Sequence, residues 1–511
     1  MEARERLRAR YRAEWMFKAL GLGAIGVSVG FLLFLFTTIF MQGWPAFTHN
    51  FVALPLELNA QTLGDEGVIS EESLSGADYD AIVRTAIREQ FPEVSGRTAK
   101  RTLSGLISPG APVLLREALL ADPERRNAPN AITLPLSDFA DLYLKGQISR
   151  STYRTGEGEL AIEVSETGVL ISGADLAAGL ESSGADGKIS LSREMPSLLL
   201  YAGGGVFKLE TLEGNLATAR ILSPLDAGET TKALDWQVRL IEVPEANRKF
   251  SDREIVWTDK LVERQLVQAK FNTLFFTRGA SREPEMAGIL GAVVGTALTL
   301  VVTLGLSFPL GVAAAVYLEE FAPRNRLTAL VEVNINNLAA VPSIVFGLLG
   351  LAVFLTFFGM PRSAPLVGGM VLALMTLPTI IIASRAALRA VPPSIREAAL
   401  GIGASKMQVV VHHVLPLAMP GILTGTIIGM AQALGETAPL LMIGMVAFVV
   451  DIPGGFTDPA TVLPVQIFMW ADFPEPAFQQ RTSAAIMVLL AFLVVMNALA
   501  VVLRKQFERR W

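Results

Sequence analysis

The sequence contains no cysteine and only three histidines among its 511 residues. Without cysteine there can be no disulfide, thiolate zinc site or cysteine nucleophile. The three histidines are His49, His412 and His413, which are too few for a histidine-rich site, so we predict no metal ligands. A phosphate-binding loop of the form GxxxxGK[ST] is also missing, so we do not expect the chain to hydrolyse ATP or to be an enzyme.

Apolar residues are abundant instead. Hydrophobic residues make up 51% of the chain and the mean hydropathy is +0.45, which favours a membrane protein. A strongly basic N-terminus precedes an apolar run from about Ala19 to Met41. We interpret residues 1–41 as a cytoplasmic basic segment and a first transmembrane helix. A cleaved signal peptide is the alternative, but this run is long for one.

Residues 42–285 have a different character, because they are polar, charged and rich in Gly, Ser and Asp. Residues 78–91 (DYDAIVRTAIREQF) have helical spacing, whereas 159–165 (ELAIEVS) alternate as in a strand. In the segment 251–254 (SDRE), Ser and Glu can form a helix capping box. The stretch GGG at 203–205 reads as a turn, since no Lys-Ser or Lys-Thr follows it. We therefore predict an inserted soluble α+β domain over 42–285.

Apolar runs return after residue 285 and predict a transmembrane domain over 286–511. We place its spans near 286–318, 327–358, 364–391, 417–450 and 483–503, which makes six with the first helix. The short loops on one side are basic, as are the N-terminus and the tail 504–511, whereas 451–481 carries four acidic residues against one arginine. This asymmetry predicts cytoplasmic termini and an extracytoplasmic 42–285 domain.

Glycines recur one helical turn apart in several predicted spans. The glycines with this spacing are Gly26 and Gly30, Gly291 and Gly295, and Gly421, Gly425 and Gly429. Small residues at this spacing let helix backbones approach closely. We interpret them as packing positions within the helix bundle, with a contact to another subunit as the alternative.

The loop 392–416 lies between two predicted spans and carries the stretch EAALGIGASKMQVVVHHVLP from residue 397. Ser394 with Glu397 reads as a capping box, and Ser405 with Gln408 reads as a second one. Gly401 and Gly403 interrupt the segment between them. We therefore expect two short helices at a sharp angle. From local spacing alone, a plain connector remains an alternative.

The spacing of this loop resembles the EAA loop of ATP-binding-cassette importer permeases, although His413 stands where that family usually has an aliphatic residue. The resemblance implies a coupling helix that docks into a groove of a separate ATPase. The positions that match the motif and would form this ATPase-coupling loop are Glu397, Ala398, Ala399, Gly403, Leu415 and Pro416.

Three further stretches resemble phosphate-specific permeases of the PstA type. They are 341–350 (VPSIVFGLLG), 377–405 (LPTIIIASRAALRAVPPSIREAALGIGAS) and 432–444 (QALGETAPLLMIG). The resemblance covers about 286–511 and implies a five-helix type I permease core in a bacterial plasma membrane. It also implies a second homologous permease, two ATPase subunits and an extracytoplasmic phosphate-binding protein as partners. ATP and magnesium would bind the partner ATPase, with no cofactor on this chain and no nucleic acid partner.

Arg385, Glu436 and Thr437 are the candidate residues of a substrate pathway. Arg385 lies seven residues before Pro392 in a predicted span, and a charge within the bilayer normally faces a pathway or a partner. Its guanidinium can donate two parallel hydrogen bonds to phosphate oxygens. The alternative is that the side chain snorkels to the lipid headgroups. Gly435 predicts a break in the long span 417–450, with Thr437 capping a new half-helix and Glu436 beside it. A structural role at this break is an equal alternative.

Three other functions remain open. A permease for another oxyanion, such as sulfate or molybdate, would share the loop but not the GETAPL segment. A membrane-anchored sensor or scaffold would use 42–285 as its ligand domain, and six spans argue against it. A secondary transporter would carry inverted repeats, which we do not detect in the sequence.

Overall fold

The computed structural model describes residues 2–63, 71–127, 132–149, 151–156, 158–165, 168–173, 176, 188–225 and 230–507. The last four residues of the predicted basic tail lie outside them. The chain divides into two compact units. The membrane unit comprises Met1–Phe47, Thr273–Arg282 and Met286–Trp511, and the inserted unit comprises Thr48–Asn272 with Glu283–Glu285. Residues 42–47 and 273–282, which we had placed in the inserted domain, therefore belong to the membrane unit.

The α-helices that the structure describes are numbered here in chain order. They are α1 (Glu2–Gly43), α2 (Ala60–Leu63), α3 (Glu71–Gly76), α4 (Tyr79–Glu89), α5 (Arg97–Ser104), α6 (Ala111–Ala121), α7 (Asp138–Leu144), α8 (Asp252–Glu263), α9 (Thr273–Thr277), α10 (Leu290–Val316), α11 (Arg326–Ala339), α12 (Ser343–Gly350), α13 (Pro365–Arg389), α14 (Pro393–Gly401), α15 (Lys406–Val409), α16 (Leu415–Gly435), α17 (Ala438–Met442), α18 (Leu463–Ala471) and α19 (Pro476–Phe507). Short π-helical segments follow α10, α12 and α15, at Tyr317–Phe321, Leu351–Phe357 and Val410–Val414.

The strands are numbered in the same way. They are β1 (Thr48–Ala53), β2 (Thr133–Pro135), β3 (Ser151–Thr155), β4 (Leu160–Ser165), β5 (Gly168–Ser172), β6 (Lys188–Ser190), β7 (Ser197–Ala202), β8 (Gly205–Glu213), β9 (Leu216–Ser223), β10 (Thr230–Ala233), β11 (Trp236–Ile241) and β12 (Val267–Phe271).

The membrane unit contains the apolar helices that the sequence predicts. Five described segments are long and apolar enough to cross a membrane, and a sixth is added if one bent helix pair counts as a span. The five are Arg10–Phe47, Leu290–Phe321, Pro365–Arg389, Lys406–Gly435 and Pro476–Gln506. The fold class of membrane helices with an additional α+β unit is therefore confirmed.

The predicted span 327–358 is not one straight helix. Helix α11 ends at Ala339, α12 begins at Ser343, and the two meet at an angle of 100°. Pro342 is the N-cap of α12. Proline cannot donate a helical hydrogen bond, and it disfavours the helical conformation in the residue before it. The sequence analysis places this proline within one apolar span over 327–358. The bend corrects that prediction, because the span consists of two helices at a sharp angle.

The predicted span 417–450 also differs from the structure. Helix α16 ends at Gly435, so the predicted break is confirmed, but the helix beyond it, α17, has only five residues. The chain forms another helix, α18, inside the stretch 451–481 that we had treated as a loop. The last span begins at Pro476 rather than near residue 483, because proline is well suited to the first turn of a helix.

Glycines on α16 pack against α13, as the bundle interpretation predicts. A Cβ added at Gly425 would lie 2.1 Å from the Cβ of Ala383, and one at Gly421 would lie 2.7 Å from the Cβ of Ala387. At Gly429 the nearest atom would be 3.6 Å away, an ordinary contact distance. The backbones of α13 and α16 therefore approach too closely for any side chain at Gly425.

The inserted unit has a small sheet and a large sheet, and each described strand pair is antiparallel. The small sheet has the order β12-β1-β2, and the large one has the order β10-β4-β5-β9-β8-β7-β11-β3 with β6 beside β8. The buried face of α4 and the capping box of Ser251 with Glu254 at the start of α8 are confirmed. The predicted glycine turn lies at 203–204, where both residues have positive φ, as the hairpin between β7 and β8 requires.

The chain enters and leaves the inserted unit through neighbouring strands. Strand β1 begins at Thr48 and pairs with β12, which ends at Phe271, and Thr48 lies opposite Phe271 in the register. The two ends of the insertion are thus hydrogen-bonded neighbours.

A buried ionic group anchors β1 to α7. The Asp141 carboxylate accepts hydrogen bonds from the backbone and side chain of Asn50, both at 2.9 Å, and from Lys145 at 2.5 Å. His49 Nδ1 lies 3.2 Å from the same carboxylate, and His49 Nε2 donates to the Leu136 carbonyl at 3.0 Å. Burial acts to raise the pKa of Asp141, but His49 and Lys145 outweigh it and hold that pKa well below its ordinary value.

Candidate functional site

The loop 392–416, called the coupling loop here after the role that the sequence predicts for it, begins with α14 and turns sharply after it. Helix α14 ends at Gly401, and Gly403 adopts a φ of +88°, a left-handed conformation that favours glycine. The Gly403 N–H donates to the Leu400 carbonyl at 2.9 Å, and the Ala404 N–H donates to the Ala399 carbonyl at 3.1 Å. These bonds satisfy carbonyls at the helix end. The turn that forms them requires a positive φ at residue 403, which explains why a glycine stands there.

Two predictions for this loop are corrected by the structure. Ser394 does not cap α14, because the helix already begins at Pro393, with Pro392 as N-cap and no side-chain cap. The second short helix is not separate, since Lys406–Gly435 forms one helical segment that passes through a π-helical turn at Val410–Val414. This wide turn ends two residues before Pro416, where the helix lacks one N–H donor.

The second capping box is confirmed. The Gln408 N–H donates to Ser405 Oγ at 3.3 Å, and the Ser405 N–H donates to Gln408 Oε1 at 2.9 Å. The box fixes the start of α15, from which the chain continues into α16.

The motif residues of the loop divide between surface and core. Glu397, Ala398 and Gly403 are exposed, whereas Ala399 is only 3% exposed and belongs to an apolar cluster with Leu388, Val409 and Val414. Leu415 and Pro416 are half-buried. Four large apolar side chains are exposed on the same loop, namely Leu400, Ile402, Met407 and Val411. The loop therefore presents small and apolar surface while its other face is anchored.

Arg385 lies in a charged cluster with Arg389, Glu319 and Glu332. Arg385 Nη2 donates to Glu332 at 2.6 Å and Arg385 Nε to Glu319 at 3.5 Å, while Arg389 Nε donates to Glu319 at 2.8 Å. The Arg385 side chain is 12% exposed. The charged cluster joins the end of α10, α11 and α13, and its two cations balance its two anions.

A second ion pair lies directly beside the cluster. Arg396, in α14, donates to Glu320 from Nε at 3.2 Å and from Nη2 at 2.7 Å. The same guanidinium donates to the Val391 carbonyl at 2.7 Å and to the Leu388 carbonyl at 2.9 Å. We call these four contacts the loop clamp.

Glu436 and Thr437 lie at the break after α16. Glu436 is extended and half-buried, and it has no side-chain hydrogen bond or ion pair among the described residues. Thr437 is the N-cap of α17, but its side chain makes no capping hydrogen bond. A Cβ added at Gly347 would lie 2.7 Å from Pro439 Cα, so the break packs tightly against α12. Arg385 pairs with Glu319 and Glu332 and not with Glu436.

Sequence reasoning missed the carboxylates. The segment before the coupling loop contains no acid, and the partners of Arg385 and Arg389 come from residues 53 to 70 positions earlier. One available signal was the adjacent pair Glu319-Glu320 at the end of an apolar run that the sequence predicts to be cytoplasmic, where the positive-inside rule favours cations.

Two family models match the sequence. "Binding-protein-dependent transport system inner membrane component" matches residues 307–511, which include the charged cluster, the loop clamp and the coupling loop. "Domain of unknown function (DUF3333)" matches residues 4–154, from α1 into the inserted unit.

Curated relatives match less than half of the chain. The Phosphate transport system permease protein PstA 1 of Mycobacterium tuberculosis is 32% identical over 233 residues, covering 46% of this chain and 76% of the relative. The protein PstA of Yersinia pestis is 30% identical over 215 residues, covering 42% of this chain and 71% of the relative. Among solved structures, the inward-facing MetNI methionine ABC transporter is 19% identical, covers 42% of this chain and 95% of its own, and has a TM-score of 0.35.

Proposed function

Since the chain belongs to the PstA-type family of binding-protein-dependent inner membrane permeases, we propose that it is a permease subunit of an ATP-driven importer of inorganic phosphate. The observation that carries the proposal is the identity of 32% with a phosphate permease across 76% of that protein's length. The GETAPL segment at 435–440 supports the same substrate. The chain is a multi-pass inner-membrane transporter subunit. Its termini would lie in the cytoplasm and its inserted unit outside.

Partner chains would supply what this chain lacks. A second permease would complete the pathway, two ATPase subunits would bind ATP and magnesium, and a phosphate-binding protein would deliver the substrate. The exposed Leu400, Ile402 and Met407 support docking of the coupling loop into an ATPase groove, because covering such apolar side chains with another protein lowers the free energy.

The charged cluster sets a condition on the predicted role of Arg385. Its guanidinium is already paired with Glu332 and Glu319, so a phosphate could bind it only after at least one carboxylate moves away. We propose that Arg385 meets phosphate only in a conformation in which its ion pair with Glu319 or Glu332 is broken. Glu436 and Thr437 remain candidate pathway residues.

The test is phosphate uptake at low external phosphate in cells that lack this gene, with and without the gene restored. Restored uptake that depends on the partner ATPase supports the proposal. As a control, the same cells with the gene restored express a catalytically inactive partner ATPase.

Uptake of sulfate or molybdate instead of phosphate would identify a permease for another oxyanion. No ATP-dependent uptake of any of the three anions would refute the importer, and the sensor or scaffold would then be the better reading.

A further inference from the structure

The adjacent residues Glu319 and Glu320 bind two different elements. Both lie in the π-helical segment Tyr317–Phe321 that follows α10. Glu319 pairs with arginines of α13, whereas Glu320 pairs with Arg396 of α14. One π-helical turn therefore attaches the end of α10 both to a span and to the coupling loop.

Arg396 connects three elements through one planar group. Its own backbone belongs to α14, and its Glu320 contacts reach the end of α10. Its contacts with Leu388 and Val391 reach one carbonyl in the last turn of α13 and one just beyond that helix. A cation at a helix C-terminus is favourable because it faces unpaired carbonyls. Arginine suits this position because its fork of donors is rigid, whereas a lysine ammonium is a single point charge.

The pair is largely shielded from solvent. The side chains of Arg396 and Glu320 are 22% and 13% exposed. Beside the pair, Ala399 of α14 packs in the apolar cluster that also contains Ala315 of α10 and Leu388 of α13. The pair is thus the charged part of a contact whose remaining part is small and apolar. Apolar contact is non-directional, whereas the two hydrogen bonds from Arg396 to Glu320 are directional.

We propose that Glu320 and Arg396 are positioning residues that make the coupling loop and the end of α10 move as one body. A force applied to the exposed surface of α14 would then rotate α10 and α13 rather than α14 alone. This inference rests on the proposed function, because it assigns a mechanical role within an ATP-driven importer. It adds a specific pair of residues, neither of which is part of the loop surface assigned to the ATPase.

The first test compares Glu320→Gln with the parent in the complete reconstituted complex. Gln keeps the size of the side chain but removes its charge, and Arg396 keeps its bonds to the α13 carbonyls. Couplings between sites typically correspond to factors of about 5 to 150, so we expect the ratio of phosphate uptake to ATP hydrolysis to fall about tenfold. Arg324→Gln is the matched control, since Arg324 is exposed in the following loop and has no ion pair among the described residues.

A milder variant covers the case in which Glu320→Gln fails to assemble. Arg396→Lys keeps the positive charge but loses the fork, so we expect the same ratio to fall by a smaller factor while assembly is retained. If uptake and ATP hydrolysis fall in parallel in both variants, the pair contributes only to stability and the inference is wrong.

The second test does not depend on phosphate. The chain has no cysteine, so Tyr317→Cys and Ser394→Cys, at exposed positions outside the loop surface assigned to the ATPase, place two spin labels on either side of the loop clamp. In the complex, we expect one narrow distance distribution with and without ATP. Glu320→Gln should broaden it, and Arg324→Gln should not.

The two tests separate the inference from the function on which it rests. A parent complex that carries no phosphate refutes the proposed function alone, because the spin-label distances still report on the loop clamp. A distance distribution that Glu320→Gln leaves unchanged refutes the inference alone.

Discussion

Replacing Gly425 by alanine tests whether the close approach of α13 and α16 holds the membrane unit together. An added Cβ would lie 2.1 Å from the Cβ of Ala383, whereas carbon atoms normally rest about 3.5–4.0 Å apart. The two helices must therefore separate by more than 1 Å or shift along each other. Extra methyl groups in a packed interior typically cost about 1–3 kcal/mol.

The size of the effect follows from two opposing contributions. Alanine in a helix is favoured over glycine by about 1 kcal/mol, which offsets part of the clash. With the clash at the upper end of its range, we expect a net loss of about 2 kcal/mol. At about 2–4 °C per kcal/mol, the melting temperature of the purified protein in detergent should fall by about 4–8 °C. Size-exclusion chromatography after heating measures this change.

Two further variants make the reasoning refutable. Gly429→Ala is the matched control on the same face of α16, where the nearest atom would be 3.6 Å away, so we expect no loss of stability. The double variant Gly425→Ala with Ala383→Gly moves the methyl group from one helix to the other and conserves the number of glycines. We expect it to recover most of the lost stability. A double variant as unstable as Gly425→Ala would show that the clash is not the cause.

Two more predictions concern the inserted unit and the coupling loop. The folded-state pKa of Asp141 lies below its unfolded value, so its carboxylate stabilises the folded state above about pH 4 and this contribution is lost as the pH falls below that. Hydrogen exchange of α7 in the full chain should report this loss, and Asp141→Asn should remove the pH dependence. In the coupling loop, Gly403→Asp should leave the protein in the membrane but weaken capture of the ATPase, because φ of +88° costs other residues about 1–2 kcal/mol. Gly401→Asp is its control, since Gly401 is also exposed but has no positive φ, and equal capture by the two variants would contradict this prediction.

Local signals in the sequence predicted local structure well. The two confirmed capping boxes, Ser251 with Glu254 and Ser405 with Gln408, depend only on residues three positions apart. The same rule failed at Ser394, because Pro393 had already started the helix one residue earlier. Where two local signals compete, the spacing of one motif does not decide the outcome.

Tertiary pairings could not be read from the sequence. Arg385 was identified as an unusual charge within a span, but its partner Glu332 lies 53 positions earlier on another helix. Helix packing brings the two together, and no periodicity encodes that distance. The 100° bend between α11 and α12 has a visible cause in Pro342, but its angle follows from how α12 packs against α13 and α17.

The pairing of Thr48 with Phe271 has a consequence for how this chain is built. Residues opposite each other in an antiparallel pair have Cα atoms about 5 Å apart. The two ends of an insertion of more than two hundred residues are therefore as close together as the two strands of a hairpin. The covalent path from α1 to α9 could be closed by a link of a few residues. The inserted unit is therefore a detachable module, and the permease helices can keep their order along the chain whether the module is lost, gained or exchanged for another.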